Sequence, residues 1–189
     1  GGANVASNYM NLGSALYWQG KKKEAFEAYD KAIQADPASP LGYWIMANTL
    51  CLDNQAKKAI GLYKKAAELM PTNASYWLTL GNAYQGNKDF KEAEKAYKKA
   101  LAAYPDFFEA RINLGVVYSQ QGLRKEAFEE YQWALKLDPE SPHGYYHIGN
   151  ICAEIGQTEK AKELWKETLK KDPNHAGAKK KLERMDRQR

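Results

Sequence analysis

The stretch ASYWLTLGNAYQGNKDFKEAEKAYKKALAAYPDF, residues 74–107, decides the fold of this chain. It reads as two short amphipathic helices that are joined by a turn at residues 86–89 and closed by Pro105. Residues three and four apart share a helix face, so each helix has an apolar stripe to bury. A single hairpin of this length cannot cover both stripes, and we expect it to pack against neighbours of its own kind. The stripes are formed by Trp77, Leu80, Gly81 and Tyr84 in the first helix and by Ala93, Tyr97 and Ala100 in the second.

The pattern recurs along the chain with a fixed period. Five prolines stand 34 residues apart, and a constant period of this size is typical of stacked-repeat proteins. Four further columns keep the same register: very small residues, alanines, large aromatics and large aliphatics. The prolines are Pro37, Pro71, Pro105, Pro139 and Pro173, and the very small residues are Gly13, Ala47, Gly81, Gly115 and Gly149. The alanines are Ala25, Ala59, Ala93, Ala127 and Ala161, and the large aromatics are Tyr29, Tyr63, Tyr97, Tyr131 and Trp165. The large aliphatics are Leu12, Met46, Leu80, Leu114 and Ile148.

These columns have a packing explanation. Small residues let two helices approach until a neighbouring large side chain fills the gap at interior density. The proline just after the second helix cannot continue that helix and stops it. Ser39-Pro40 and Ser141-Pro142 then predict an N-cap followed by the first helical residue, and Asn73 fills the capping role before Ala74. In the second repeat Asn54 takes the turn, because asparagine tolerates the left-handed conformation.

The fourth and fifth repeats carry exceptions. Arg111 stands in the column of Tyr9, Tyr43, Trp77 and Tyr145. We expect its stem to cover apolar surface while the guanidinium reaches water or a carboxylate. Cys152 and Thr168 occupy apolar columns of the last repeat, where we therefore expect the least regular packing.

The order W-x2-L-G-x2-Y, then A-x3-F and a closing P, resembles the tetratricopeptide repeat (TPR) signature, read here as Trp77, Leu80, Gly81, Tyr84, Ala93, Tyr97 and Pro105. The resemblance implies an all-α fold, a right-handed α-solenoid of stacked antiparallel helix pairs (the TPR superhelix). We expect a single TPR domain over residues 6–175, with repeats at 6–39, 40–73, 74–107, 108–141 and 142–175. Residues 1–5 are interpreted as an N-terminal tail that begins with a Gly-Gly cloning scar. Residues 176–189 are interpreted as a polar capping helix.

Composition narrows the function classes. The chain has 189 residues, 44% hydrophobic and 27% charged, as in an ordinary globular protein. It contains neither a run long enough to span a bilayer nor a signal-peptide pattern, so we expect a cytoplasmic protein without membrane insertion. Cys51 and Cys152 are interpreted as small core residues of a reducing compartment. The net charge of +5 is spread along the chain, as on a solvated helical face.

The resemblance to TPR proteins implies a protein–protein interaction scaffold or adaptor. In such arrays the first helices of the repeats line a concave groove, which in the TPR family usually holds an extended peptide or a partner helix. We therefore expect a protein or peptide partner in that groove. The predicted partner-binding residues are Trp18, Trp44, Asn48, Leu78, Asn82, Asn113, His143, Tyr146, His147 and Asn150.

Two features of the predicted groove stand out. Asn48, Asn82 and Asn150 share one column, and amide side chains offer both a donor and an acceptor to a peptide backbone. The alternative is that these residues only solvate the wall. The part of the predicted groove formed by the first two repeats is also apolar, with Met10, Trp18, Leu41, Trp44, Ile45 and Leu52. Exposed apolar patches mark interaction sites. The alternative here is that some of these residues pack between repeats.

The sequence gives only partial matches to two narrower sites, a carboxylate clamp and a metal site, and both are set aside. Some TPR domains grip a chaperone C-terminus through a carboxylate clamp of lysines, asparagines and an arginine. Asn82 and Asn113 fit that clamp, but Leu78, His143 and His147 stand where it has cations, and protonated histidines would hold a carboxylate only weakly. The two histidines also have the i, i+4 spacing of metal ligands. The zinc-protease motif is missing and Glu109 is only a guess for a third ligand, so no metal is expected.

Other function classes have less support. The sequence has no phosphate-binding loop, nucleophile elbow or clustered carboxylate pair, so we expect no enzyme and no cofactor. Nucleic-acid binding would need basic residues interleaved with aromatics in the groove, and the predicted groove has few cations. The remaining alternative is a self-assembling, homo-oligomeric scaffold, in which an incomplete end or the apolar first half docks onto another copy.

Overall fold

The computed structural model describes residues 2–187, and these fold into eleven α-helices. Consecutive helices pair as antiparallel hairpins that correspond to the predicted repeats. Gly1, Gln188 and Arg189, which belong to the predicted tail and capping helix, lie outside the described residues. The helices are α1 (Gly2–Trp18), α2 (Lys22–Ala35), α3 (Pro40–Leu52), α4 (Ala56–Leu69), α5 (Ala74–Gly86), α6 (Phe90–Ala103), α7 (Phe108–Gln120), α8 (Arg124–Leu137), α9 (Pro142–Glu154), α10 (Thr158–Lys171) and α11 (Ala176–Asp186).

The helices form two compact units, divided between Tyr104 and Pro105. The first unit contains the hairpins α1–α2, α3–α4 and α5–α6, with α2 packed on α3 and α4 packed on α5. The second unit contains α7–α8, α9–α10 and the single helix α11, with α8 packed on α9 and α11 on α10. Each unit therefore has the stacked hairpins that the repeat predicts. No helix among residues 2–187 is long and apolar enough to cross a membrane.

All five hairpin turns place one residue in the left-handed region, always at the same repeat position. Gly20, Gly122 and Gly156 have φ between 78° and 81°, and Asn54, the predicted turn residue of the second repeat, has φ 58°. In the third repeat the left-handed residue is Lys88, with φ 65°. Gly86, at the start of the predicted turn, is instead the last residue of α5. Lysine at such a φ carries a steric cost of roughly 1–2 kcal/mol, because its Cβ crowds the following carbonyl oxygen.

The helix boundaries follow the prolines and the caps. Each second helix ends two residues before the closing proline, as predicted. The Asn73 side chain accepts a hydrogen bond of 3.0 Å from the Ser75 amide at the start of α5. Ser39 and Ser141 stand at the N-cap positions of α3 and α9, but neither hydroxyl makes a capping hydrogen bond. For these two helices the start signal is the proline at the first turn, whose fixed φ suits a helix and which has no N–H to satisfy.

The small-residue column packs directly against the aromatic column. A Cβ built on Gly81 or Gly115 would lie 2.5 Å from the ring of Tyr97 or Tyr131, and one on Gly13 would lie 2.6 Å from Tyr29. Tyr29, Tyr97 and Tyr131 are at most 1% exposed. The predicted pairing of small and large columns is therefore a direct contact within these three hairpins.

A second column ties each repeat to the preceding proline through a hydrogen bond that the sequence analysis does not anticipate. The side chains at this position donate to the proline carbonyl six residues earlier: Tyr43 to Pro37 at 3.3 Å, Trp77 to Pro71 at 2.9 Å, Arg111 to Pro105 at 3.0 Å and Tyr145 to Pro139 at 3.1 Å. Arg111 can replace the aromatic residues of its column because its guanidinium supplies the same N–H donor. It also pairs with the Glu130 carboxylate at 2.9 Å, the outcome expected for this residue.

The ends of the chain differ from the expectations. Helix α1 begins at Gly2, so residues 2–5 of the predicted tail are helical. Leu12, predicted to pack with the large aliphatic column, is 48% exposed. In α11 the fully buried residue is Ala178, while Leu182 and Met185 are half-buried, because a methyl group allows the closer approach to α10.

Candidate partner-binding surface

The first helices of the hairpins, α1, α3, α5, α7 and α9, carry every predicted partner-binding residue. We call them the A helices. In the first unit, two of the predicted asparagines bind tyrosines of the second helices. The Tyr63 hydroxyl donates to Asn48 Oδ1 at 2.7 Å. The Tyr97 hydroxyl lies 2.7 Å from Asn82 Oδ1 and 2.6 Å from Gln85 Oε1. The two amide oxygens are thus turned toward the hairpin interior.

This network modifies the prediction of a uniform asparagine row. Burial, with a smaller contribution from Cys51, raises the pKa of the Tyr63 hydroxyl far above its ordinary value, so it remains a donor. Because the amide oxygen accepts that proton, the side chain of Asn48 presents its NH2 group rather than both functions to a ligand. Asn48 and Asn82 therefore have a structural role in addition to the predicted binding role.

The row is also interrupted in the second unit. Val116 occupies the asparagine column in α7, and Asn113 is half-buried one turn earlier. In α9 the Asn150 Oδ1 atom is buried and, among the described residues, finds no hydrogen-bond partner. The Trp165 indole nitrogen is also buried and, within residues 2–187, its N–H has no acceptor. Trp165 replaces the tyrosine whose hydroxyl reaches the asparagine in the second and third repeats, which accounts for both unpaired atoms. Cys152 and Thr168, where less regular packing is expected, are both buried.

The apolar side chains predicted for the first half divide into exposed and buried groups. Trp18 is 78% exposed, Leu52 61% and Leu41 41%. Trp44 is half-buried, and its ring lies 6.3 Å from that of Tyr76, a residue absent from the predicted site. Leu78 is only 7% exposed, so its assignment to the partner-binding surface is wrong: its position on α5 faces neighbouring helices. Met10, 6% exposed, is likewise a core residue.

In the second unit, the structure brings all three histidines of the chain together with two tyrosines. His147 stacks on Tyr131 with ring centroids 4.8 Å apart. The Tyr146 ring lies 5.3 Å from His147 and 4.5 Å from His175. His143 is exposed, with its ring centroid 6.3 Å from that of His175.

His175 is the member of this cluster that the sequence analysis misses. It precedes α11, and its Nδ1 atom accepts a 3.2 Å hydrogen bond from the Ala178 amide. A signal was available in the sequence, because His175 stands in the capping column of Ser39, Asn73 and Ser141.

The surroundings of His147 bear on the carboxylate clamp that the sequence analysis sets aside. Burial, reinforced by the neighbouring His143 and His175, lowers the pKa of His147 to about 4. His147 is therefore neutral at physiological pH and supplies no cation for a carboxylate. Of the predicted pair, only His143 is exposed to solvent. Across residues 2–187, no group of three or more His, Cys, Asp or Glu side chains is arranged to hold a metal ion.

Comparison with known proteins identifies the repeat architecture. Residues 1–185 match the family described as the Cilia and flagella-associated protein 70 C-terminal domain, a TPR domain. Comparison with curated proteins gives no significant match.

Solved structures of TPR proteins resemble the chain over most of its length. MamA is 26% identical with a TM-score of 0.79, over 91% of this chain and 94% of MamA. YrrB, described as a TPR protein with an unusual peptide-binding site, is 24% identical with a TM-score of 0.75, over 90% of this chain and 88% of YrrB. The C-terminal part of a TPR repeat-containing protein from Cytophaga hutchinsonii is 19% identical with a TM-score of 0.82, over 94% and 73% of the two chains. The fold class is thus the all-α TPR solenoid of stacked helix pairs.

Proposed function

Because the chain belongs to the family of the Cilia and flagella-associated protein 70 C-terminal domain, a TPR family, we propose that it is a protein-interaction scaffold. It has no catalytic role in this proposal. Its A helices hold a peptide or a helix of a partner protein. The likeness to YrrB is one of fold, so the binding surface is argued from the side chains of this chain.

The observation that carries the proposal is the exposure of Trp18 and Leu52. These residues occupy the same repeat position at the ends of α1 and α3, and they are 78% and 61% exposed. Large apolar side chains left in water at equivalent positions of neighbouring helices form a patch of the kind that protein interfaces cover. Tryptophan is also among the residues that contribute most to interface energies. In the first unit the partner-binding surface therefore comprises Trp18, Leu52, Trp44, Asn48 and Asn82.

A matched pair of variants tests this assignment. Trp18→Ala/Leu52→Ala removes the exposed side chains from the A helices, and Met70→Ala removes one of comparable type, 41% exposed, from the end of α4. The family's namesake is associated with cilia and flagella, so partners are captured from an extract of ciliated cells and quantified by mass spectrometry. We expect the double variant to lose the captured partner and Met70→Ala to retain it. Equal capture by all three proteins, with circular dichroism confirming their folding, would contradict the proposal.

Self-assembly is a second candidate, favoured by a different surface. Val5 and Leu12 are seven residues apart on one face of α1, and they are 46% and 48% exposed. In the other repeats the residues of the Leu12 column are buried or half-buried. A second copy docking on α1 would bury both side chains. Sedimentation velocity across the micromolar range tests this: a monomer at every concentration rejects it, and a dimer that Leu12→Glu abolishes supports it.

A further inference from the structure

A pocket opens on the A-helix surface of the first unit, between the α3–α4 hairpin and α5. Its volume is about 510 Å³, within the range of roughly 300–1,000 Å³ that is typical of ligand sites. The pocket lies next to the Asn48–Tyr63 hydrogen bond already described. It is lined by Cys51, Ala56, Lys57, Tyr63, Thr79, Asn82, Ala83, Gly86 and Asn87.

The pocket is open because two repeat positions carry unusually small residues here. Gly86 stands in the column whose other members are Trp18, Leu52, Gln120 and Glu154. A Cβ built on Gly86 would meet no atom within 4 Å, so the space of the absent side chain is empty. Ala56 likewise stands in a column whose other members are Lys22, Phe90, Arg124 and Thr158. Both departures from the repeat pattern border the same cavity.

The polar atoms that line the pocket are largely engaged within the protein. The Thr79 hydroxyl donates to the Ser75 carbonyl at 2.8 Å. The Tyr63 hydroxyl binds Asn48, and the Asn87 amide nitrogen binds the Asp89 carboxylate at 2.5 Å. What remains for a ligand is mainly methyl, methylene and ring surface. An apolar group is the ligand that gains most from such a lining, because it leaves water without losing hydrogen bonds.

Lys57 adds a charge preference at the rim. It is exposed and is the only charged residue among those lining the pocket. A carboxylate next to the apolar group would face this ammonium, and the net charge of +5 favours the approach of an acidic partner. The apolar lining and the single cation together select an apolar residue with an acidic neighbour.

We propose that this pocket recognises a large apolar side chain of the partner, such as leucine or phenylalanine, flanked by aspartate or glutamate. The inference rests on the proposed function, because it names the class of peptide that the A helices of the first unit bind. Trp18 and Leu52 lie on the same surface as the pocket and contact other parts of the partner.

The chain offers a variant that fills the pocket and a matched control. Gly86→Leu places a side chain in the empty space, and the helical φ of Gly86 accommodates it without backbone strain. Gly61 is also helical and exposed, and a Cβ there meets nothing within 4 Å, but it lies away from the pocket. Gly61→Leu therefore makes the same chemical change in the same unit. Since leucine favours helix more than glycine does, we expect neither variant to lower the melting temperature.

The probe is a phage-displayed library of random linear dodecapeptides, selected on the wild-type protein. Enriched peptides are synthesised with a fluorescent label, and their dissociation constants are measured by fluorescence polarisation. We expect them to share an apolar residue beside Asp or Glu. Gly86→Leu should weaken their binding by about tenfold or more, because the anchor can no longer be buried. Gly61→Leu should leave it unchanged. Lys57→Glu should weaken it as well, whereas Lys65→Glu, also exposed on α4, should have a smaller effect.

The outcomes separate this inference from the proposed function. Peptides that lose binding in Trp18→Ala/Leu52→Ala but bind Gly86→Leu normally would overturn the pocket and leave the interaction surface standing. Peptides without an apolar–acidic pattern would overturn the pocket in the same way. Failure to enrich any peptide would overturn the pocket, whereas the proposed function, which also admits a helix of a partner protein, is decided by the capture experiment. Selective loss in Gly86→Leu and Lys57→Glu, with both controls intact, is the result that supports the pocket.

Discussion

At the scale of single residues, the glycines of the small column are fixed by contact rather than by backbone conformation. Gly115 has a helical φ, yet a Cβ there would lie 2.5 Å from the Tyr131 ring. Tyr131 cannot move aside cheaply, because it is 1% exposed and stacks on His147. A Cβ at position 115 would therefore clash with a side chain that is fixed by its surroundings.

We predict that Gly115→Ala destabilises the protein by about 1–3 kcal/mol, the usual cost of overpacking. Gly61→Ala is the control, because a Cβ at Gly61 meets nothing and alanine is the better helix former. Urea denaturation followed by circular dichroism gives both values. An unchanged urea midpoint for Gly115→Ala would show that Tyr131 can move aside and that steric contact does not require glycine in this column.

The buried histidine makes a prediction about pH. The pKa of His147 falls from an ordinary 6.5 to about 4 in the folded protein, through burial first and then through His143 and His175. Between these values the unfolded chain binds a proton that the folded chain does not, so stability rises with pH. The contribution of His147 is complete above about pH 6.5 and is lost as the pH falls through about 4. It amounts to at most about 3 kcal/mol.

His147→Phe tests this linkage, because it keeps an aromatic ring against Tyr131 but cannot titrate. We expect the wild type to lose more stability than the variant when urea denaturation at pH 7.5 is compared with pH 4.5. The carboxylates titrate in both proteins, so their contribution to the loss of stability cancels when the wild type and the variant are compared. Equal losses would mean that His147 is protonated in the folded state over this range.

At the scale of helices and hairpins, the substitution of Arg111 shows how one repeat preserves its contacts with a different residue. Its guanidinium donates to the Pro105 carbonyl and to Glu130, and lies 4.9 Å from the centre of the Trp133 ring. The side chains of Arg111 and Glu130 are only 15% and 19% exposed. This ion pair joins α7 to α8 within the fourth repeat.

Arg111→Met should therefore cost about 2 kcal/mol, because it leaves a mostly buried carboxylate without its partner. Arg111→Met/Glu130→Gln should recover part of that loss, since the remaining amide carries no charge. A double-mutant cycle by thermal or urea unfolding measures the coupling. Additive effects of the two single changes would contradict a direct interaction.

The helices and turns were largely predictable, because their signals are local and repeated. Helix ends follow the prolines, and the left-handed turn position follows the glycines and Asn54. The third-repeat turn lies within the predicted residues 86–89, but its left-handed residue is Lys88, which adopts that conformation in spite of its side chain. The hydrogen bonds to the proline carbonyls were not predictable in the same way. Tyrosine, tryptophan and arginine all supply a donor at this repeat position, but the three side chains otherwise look dissimilar.

At the scale of the whole molecule, the sequence predicts the family and fold class but not which A-helix residues meet solvent. The sequence assigns both Leu78 and Trp18 to the predicted groove, yet one is 7% and the other 78% exposed. Burial depends on the neighbours that stacking supplies, and these come from distant parts of the chain. The clustering of His175 with His143 and His147 has the same origin.

The central claim is that a partner contacts the A helices of the first unit, and site-specific photo-crosslinking tests it most directly. A p-benzoylphenylalanine residue is introduced in place of Trp18, of Leu52 or, as the control, of Met70, and each protein is irradiated in cells. The same partner should be crosslinked from Trp18 and Leu52 and not from Met70. Crosslinking of that partner from Met70 but from neither Trp18 nor Leu52 would contradict the account.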